Sequence, residues 1–203
     1  MESTLSTFLR IGGGCAIAAP IVILGGDIFR ALTGLDFIWT LAFWFGFVLF
    51  VPGLIGFTYV LAAAGSRLAY AGGALAVFGA IAGASIQVLF RIYAVLNEQG
   101  STQTVDQLDQ TFKLVASTQM IGITFPIGLI LLAISLLMID RTKWLHALLL
   151  TIGAVAFPIG RIGGFTAAVM MSGIFLTAAF SFIGDLIMHP HKFPSSPSLK
   201  GTN

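Results

Sequence analysis

Asp27 and Arg30 stand three residues apart at the end of an apolar run, on one face if that run is helical. Gln87 and Arg91 are four apart in another apolar run, Gln119 enters a further run at similar depth, and Arg161 closes the fifth. Ionisable side chains within apolar segments are costly and mark candidate sites. Gathered in one layer, these groups would make a polar, mildly positive pocket, and a guanidinium fork suits a carboxylate or phosphate head. The ligand-binding candidates are therefore Arg91, Arg161, Gln87, Gln119 and Asp27. The structural alternative pairs Asp27 with Arg30 and sends Arg91 and Arg161 to lipid phosphates.

Catalytic chemistry lacks its parts. Asp185, the deepest acid of the last run, has no counterpart for an aspartyl-protease pair, and is expected to pair with Lys143 or His146. No histidine lies at mid-run beside a nucleophile, no facing histidines offer haem ligands, and no lysine lies inside a run. His189-Pro190-His191 holds two histidines at the end of the last run, and no Cys/His/carboxylate set has metal spacing. Gly12-Gly13-Gly14 sits in an apolar run, unlike a phosphate-cradling loop. The expectation is no catalytic residue, no metal and no cofactor. Cys15 is the single cysteine and reads as a buried, inert thiol. Gly12, where a lipoprotein cleavage site wants a Leu-like residue, and a weak charged start argue against a processed leader.

The elements that must position these groups follow from composition. Of 203 residues, 57% are hydrophobic and only 9% charged, against about 25% charged in an ordinary soluble domain. Mean hydropathy is +0.99. Such a chain cannot cover a water-facing surface, which excludes a soluble enzyme, a disordered protein and a secreted disulfide scaffold. A net charge of +2 without a Lys/Arg stripe excludes a nucleic-acid partner. The solvent is a lipid bilayer, and a spanning helix needs about 20 apolar residues. Runs of that order extend over Phe8–Ile28, Phe37–Leu61, Leu68–Leu96, Leu114–Ile139, Trp144–Gly160 and Phe165–Met188, with a tight turn at Arg161-Ile162-Gly163-Gly164. They predict an all-α integral membrane protein with six transmembrane helices in one domain, residues 1–190. A transmembrane barrel would instead show alternating segments of about ten residues.

Residues 97–113 are the only long polar segment inside that domain, and 191–203 reads as a disordered tail. Thr104-Val105-Asp106-Gln107 fits a capping box, with Val105, Leu108, Phe112 and Val115 at helical spacing behind it. Arg10, Arg67, Arg141, Lys143, Lys192 and Lys200 fall on one side of the membrane. Arg30, Arg91, Lys113 and Arg161 fall on the other, together with Glu98, Asp106 and Asp109. The bias puts both termini in the cytoplasm and the polar segment outside, with Trp144 and Trp39 as interface anchors. The Gly/Ala/Phe-rich look is that of small bacterial inner-membrane proteins.

Packing between helices in lipid requires small residues. Gly72, Ala76, Ala80 and Ala84 recur every four residues, and Gly79 and Gly83 complete a GxxxG match. This face fits another helix of the same chain or a second subunit. Pro20 and Pro52 are 32 residues apart, as are Pro126 and Pro158, and Phe125-Pro126-Ile127-Gly128 recurs as Phe157-Pro158-Ile159-Gly160. The spacing suggests a 3+3 inverted repeat, the alternative being chance in a Gly/Phe/Ile-rich background. Each of these four prolines is a predicted helix kink that frees a carbonyl. The function expected is binding or transport of a small amphipathic, lipid-like or anionic molecule through an outward-facing polar layer. The alternative is a non-catalytic accessory or assembly subunit of a larger membrane complex, or a homo-oligomer.

Overall fold

In a computed structural model, residues 2–100, Thr104, Gln107 and 122–190 are described, and all statements of count below concern these. Six helices make up the fold: α1 Glu2–Thr33, α2 Asp36–Ala63, α3 Leu68–Glu98, α4 Thr124–Ile139, α5 Trp144–Gly163 and α6 Thr166–Met188. Five of them, all but α4, are long and apolar enough to cross a bilayer. At 1.5 Å per residue, the 16 residues of α4 rise only about 24 Å. The expected beginning of that span, Leu114 to Ile121, lies outside the described residues, as do Val105, Asp106, Leu108, Phe112, Val115, Gln119 and the tail 191–203.

Several helices run past the limits of the apolar runs, α1 from Glu2 to Thr33 and α5 to Gly163 among them. Gly34 and Gly164 adopt φ of +70° and +72°, the left-handed conformation that ends α1 and α5 without a side-chain clash. Arg161 is therefore not in a turn, as the glycine cluster predicts, but inside the last turn of α5. Gly122 is helical, Ile123 keeps helical φ and ψ of −67° and −22°, and α4 runs from Thr124, so Pro126 lies in the first turn of that helix. Pro20, Pro52 and Pro158 lie inside their helices. Between α4 and α5, the Asp140 carboxylate accepts from the Thr142 backbone N–H and hydroxyl at 2.9 and 2.6 Å, which holds its carboxyl below the ordinary carboxylate range.

Each helix packs on its neighbours in the chain, and α6 returns to α1, so the bundle is a ring in sequence order, with α2 also reaching α4 and α6. Water-driven burial does not operate between helices in lipid, so the contacts must come from close backbone approach. Among the described residues, glycine provides it at every junction except α4–α5. A methyl group at Gly13 would stand 2.6 Å from the Gly184 carbonyl oxygen, and one at Gly184 2.6 Å from that of Gly13, which closes α6 on α1. On the opposite side, methyls at Gly128 and Gly79 would run into the backbones of Ala76 and Phe125, which joins α3 to α4. Gly72 faces Leu131 and Gly128 there, and Gly83 faces the Phe47 ring on α2. Ala76 and Ala80 are fully buried, while Ala84 is half-buried. Ser172 adds an inter-helix hydrogen bond of 3.0 Å to the Gly153 carbonyl.

The middle of the ring is filled by phenylalanine. Phe50 meets Phe125 at 5.3 Å and Phe180 at 4.9 Å, and Phe125 meets Phe47 and Phe157 at 5.5 and 5.6 Å, edge to face. Such pairs add about 0.5–1.5 kcal/mol beyond burial. The outside is also apolar: Ile11, Ile21, Phe45, Ile55, Phe78, Ile81, Ile127, Ile134 and Ile174 are all exposed. A soluble monomer rarely exposes more than a few hundred Å² of contiguous apolar surface, so this exterior faces lipid tails. The lone Cys15 is half-buried rather than buried.

The glycine junctions make a direct prediction. Gly128→Leu should destabilise the protein by about 3 kcal/mol or prevent its recovery, as overpacking against backbone does. Gly14→Leu should be near neutral, since nothing lies within 4 Å of a methyl group there. Thermal unfolding of both variants in one detergent checks this; equal stability would contradict the packing described.

Candidate functional site

The ends of α1, α3 and α5 and the starts of α2, α4 and α6 come together at one end of the bundle. A cavity of about 710 Å³ opens between them, and all six helices contribute to its wall. Its floor is Phe43, Phe47, Phe125 and Phe157, three of them buried and Phe157 half-buried. Both Phe-Pro-Ile-Gly copies thus place a phenylalanine and a proline on one wall. Gly79 and Gly83 of α3 also line it, and the exposed Arg30, Ile162 and Thr166 mark the mouth. Pockets of about 300–1,000 Å³, mostly apolar with a few placed polar groups, are those that take drug-sized ligands.

One charged network braces the mouth. Asp27 of α1 has a side chain only 3% exposed and is ion-paired with Arg161 of α5, whose side chain is 20% exposed. The second carboxylate oxygen accepts from the Trp39 indole N–H of α2 at 2.8 Å. The Arg161 guanidinium lies 4.0 Å from the centre of the Phe43 ring and 5.7 Å from that of Phe157. A desolvated cation over an aromatic face contributes roughly 2 kcal/mol. Arg30 stacks 4.2 Å above the other part of the network, the Trp39 ring, and pairs with Asp36 at 2.7 Å. Three helices, α1, α2 and α5, are thereby tied across the opening.

Three of the sequence-derived candidates, Asp27, Gln87 and Arg161, line this cavity. Gln119 lies outside the described residues. Arg91 does not reach the wall: it faces Glu98 at 3.9 Å and the Phe37 ring at 5.3 Å. Four residues of helix turn through about 400°, so Arg91 is offset by about 40° and one turn from Gln87. The Asp27–Arg30 pairing is corrected: Arg30 goes to Asp36 because the α1–α2 turn brings that carboxylate over it, which leaves Asp27 to Arg161. Trp39 is a hydrogen-bond donor inside the site rather than an interface anchor alone. The expected mildly positive layer is electrically balanced, since each guanidinium has a carboxylate partner.

At the other end, Asp185 meets His189 at 2.9 Å, one turn along its own helix, and neither Lys143 nor His146. His146 instead stacks on Phe182 at 3.5 Å. Sequence reasoning missed Trp39 and the four-ring floor. The doubled Phe-Pro-Ile-Gly motif was the available signal for two of those rings. No protein-family model, curated protein or solved structure matches the chain.

The Asp27–Arg161 pair is testable by itself. Asp27→Leu or Arg161→Met leaves the other charge buried alone and should cost about 3–5 kcal/mol. The double variant Asp27→Leu/Arg161→Met should recover most of that loss. Additive losses in the double variant, measured by thermal unfolding, would mean that the two groups are not coupled.

Proposed function

We propose that this chain is a six-span integral membrane protein that binds, and in a transport cycle moves, a small amphipathic or lipid-like molecule through the cavity at the end of its bundle. The observation that carries the reading is the cavity itself: about 710 Å³, an aromatic floor, and a few polar side chains, Asp27, Arg30, Gln87 and Arg161, on its wall. An apolar body below and a polar head above match that division. Both termini are assigned to the cytoplasmic side from the lysine and arginine bias, which puts the cavity on the outer side of a bacterial inner membrane. The closed ring also accommodates two inverted halves, α1–α3 and α4–α6, whose two junctions are both glycine-lined. We read the chain as a binding protein rather than an enzyme.

The competing reading, an accessory subunit, rests on the small-residue faces. Those of α3 are occupied by α2 and α4 of the same chain, so they are not held open for a partner.

Native mass spectrometry of protein released gently from its own membranes tests the proposal. A discrete added mass in the small-molecule range is expected. Gly122→Leu should reduce it, because a methyl group at this cavity-lining position meets, among the described residues, only Ile86, at 3.8 Å, and so fills the space. Arg161→Ala is a poorer probe, since it strands Asp27. A bare chain in all preparations, or an added mass made of other polypeptides, would contradict the reading.

A further inference from the structure

Hydrogen-bonding capacity on the cavity wall is one-sided. A guanidinium carries five N–H groups, and in Arg161 only Nη2 is engaged, by Asp27. Nε and Nη1 make no hydrogen bond among the described residues, neither is closed off, and the side chain keeps 20% of its surface open. The rings of Phe43 and Phe157 beside it attract its charge but have no lone pair to take these hydrogens. Arg161 thus brings unused donors to the wall it lines. Acceptors are not offered in return. One Asp27 oxygen takes the guanidinium, the other takes the Trp39 indole, and the side chain is 3% exposed. The Gln87 side-chain oxygen is closed off, and Thr166, whose hydroxyl could accept, stands exposed at the mouth.

These donors do not make a site for an anion. Taking Arg161 away from Asp27 would leave a buried carboxylate unpaired, which is strongly unfavourable. An anion sharing Arg161 with Asp27 would lie beside that carboxylate in a medium of low dielectric constant, where like charges repel strongly. A cationic head would meet two guanidinium groups, Arg30 and Arg161, on one wall. An uncharged acceptor avoids both penalties. A carbonyl oxygen takes N–H groups from the guanidinium, adds no charge and leaves the ion pair in place, and a hydrogen bond from a charged donor is roughly twice as strong as a neutral one. A head that also carried a donor would give up its bond to water with no acceptor to replace it.

We propose that the cavity takes an uncharged amphiphile whose head is a carbonyl acceptor without a donor, as in an ester, a ketone or a quinone. The free N–H groups of Arg161 hold the head, while the apolar body lies over Phe43, Phe47, Phe125 and Phe157. This inference rests on the cavity being a ligand site, as proposed above, and adds the charge and the head group of the ligand. Arg161 then acts through different hydrogens in two ways: it ties α5 to α1 through Asp27, and it selects the guest.

The test uses four single-chain probes of one tail length: methyl oleate, octadecene, oleate and oleylamine, titrated into the purified full chain in one detergent and read by native mass spectrometry. Methyl oleate should bind about tenfold more tightly than octadecene, the worth of one hydrogen bond from a charged donor. It should also bind more tightly than oleate and oleylamine. The double variant Asp27→Leu/Arg161→Met removes the donors together with the carboxylate they would otherwise strand, and should lose the preference for methyl oleate over octadecene. An ion pair that only holds the helices together would leave that ratio unchanged. Tighter binding of oleate or oleylamine, equal binding of methyl oleate and octadecene by the parent chain, or a double variant that keeps the preference would each overturn this inference. The comparison of probes on the parent chain decides it even where the double variant cannot be recovered. In each of those cases the cavity reading stands if Gly122→Leu still weakens binding of the tightest probe. No binding of any probe, or binding indifferent to Gly122→Leu, would overturn both.

Discussion

Helices in a bilayer are not pressed together by water, and this one constraint organises the molecule. Association has to come from contact at short range, and the chain meets it with glycines that allow backbones to touch. The reciprocal Gly13–Gly184 approach closes the ring, and the Gly72–Gly128 region holds its opposite side. A ring of six helices necessarily encloses a middle. Phe50, Phe125 and Phe180 fill it at mid-height, and toward one end the filling stops. There Gly79, Gly83 and Gly160 line the space, although each is itself packed tightly, against Phe125, Phe47 and Val169 respectively.

The ion-paired network then decides what kind of cavity it is. A buried pair is a poor source of net stability against apolar replacements, but it is directional, and breaking it is expensive. Asp27 receives a guanidinium from α5 and an indole N–H from α2, while Arg30 covers the opposite face of the same indole. The three helices are fixed at the mouth with every charge matched. What remains for a guest is a charge-balanced wall and an aromatic floor.

Much of the architecture was legible in the chain because lipid imposes a coarse rule: long apolar runs become helices, and charges inside them stand out. Asp27, Gln87 and Arg161 were conspicuous for that reason. Their pairing was not legible, since Asp27 and Arg161 are separated by 134 positions and only ring closure brings them together. Arg30 was the nearer partner on paper and lost to geometry at the α1–α2 turn. The aromatic floor was hidden for a different reason. With 18 phenylalanines in the chain, a ring that lines a cavity has the same sequence signature as one that fills a core. Arg161 looked like a turn residue because Gly163 and Gly164 follow it, yet the helix ends only where Gly164 takes up positive φ.

The most direct test of the central claim is a structure of the protein extracted with its own lipids into nanodiscs, without detergent exchange. The account predicts elongated non-protein density over the Phe47 and Phe125 rings, with the Asp27–Arg161 pair intact. A cavity collapsed onto its own side chains, or one holding ordered water alone, would contradict it.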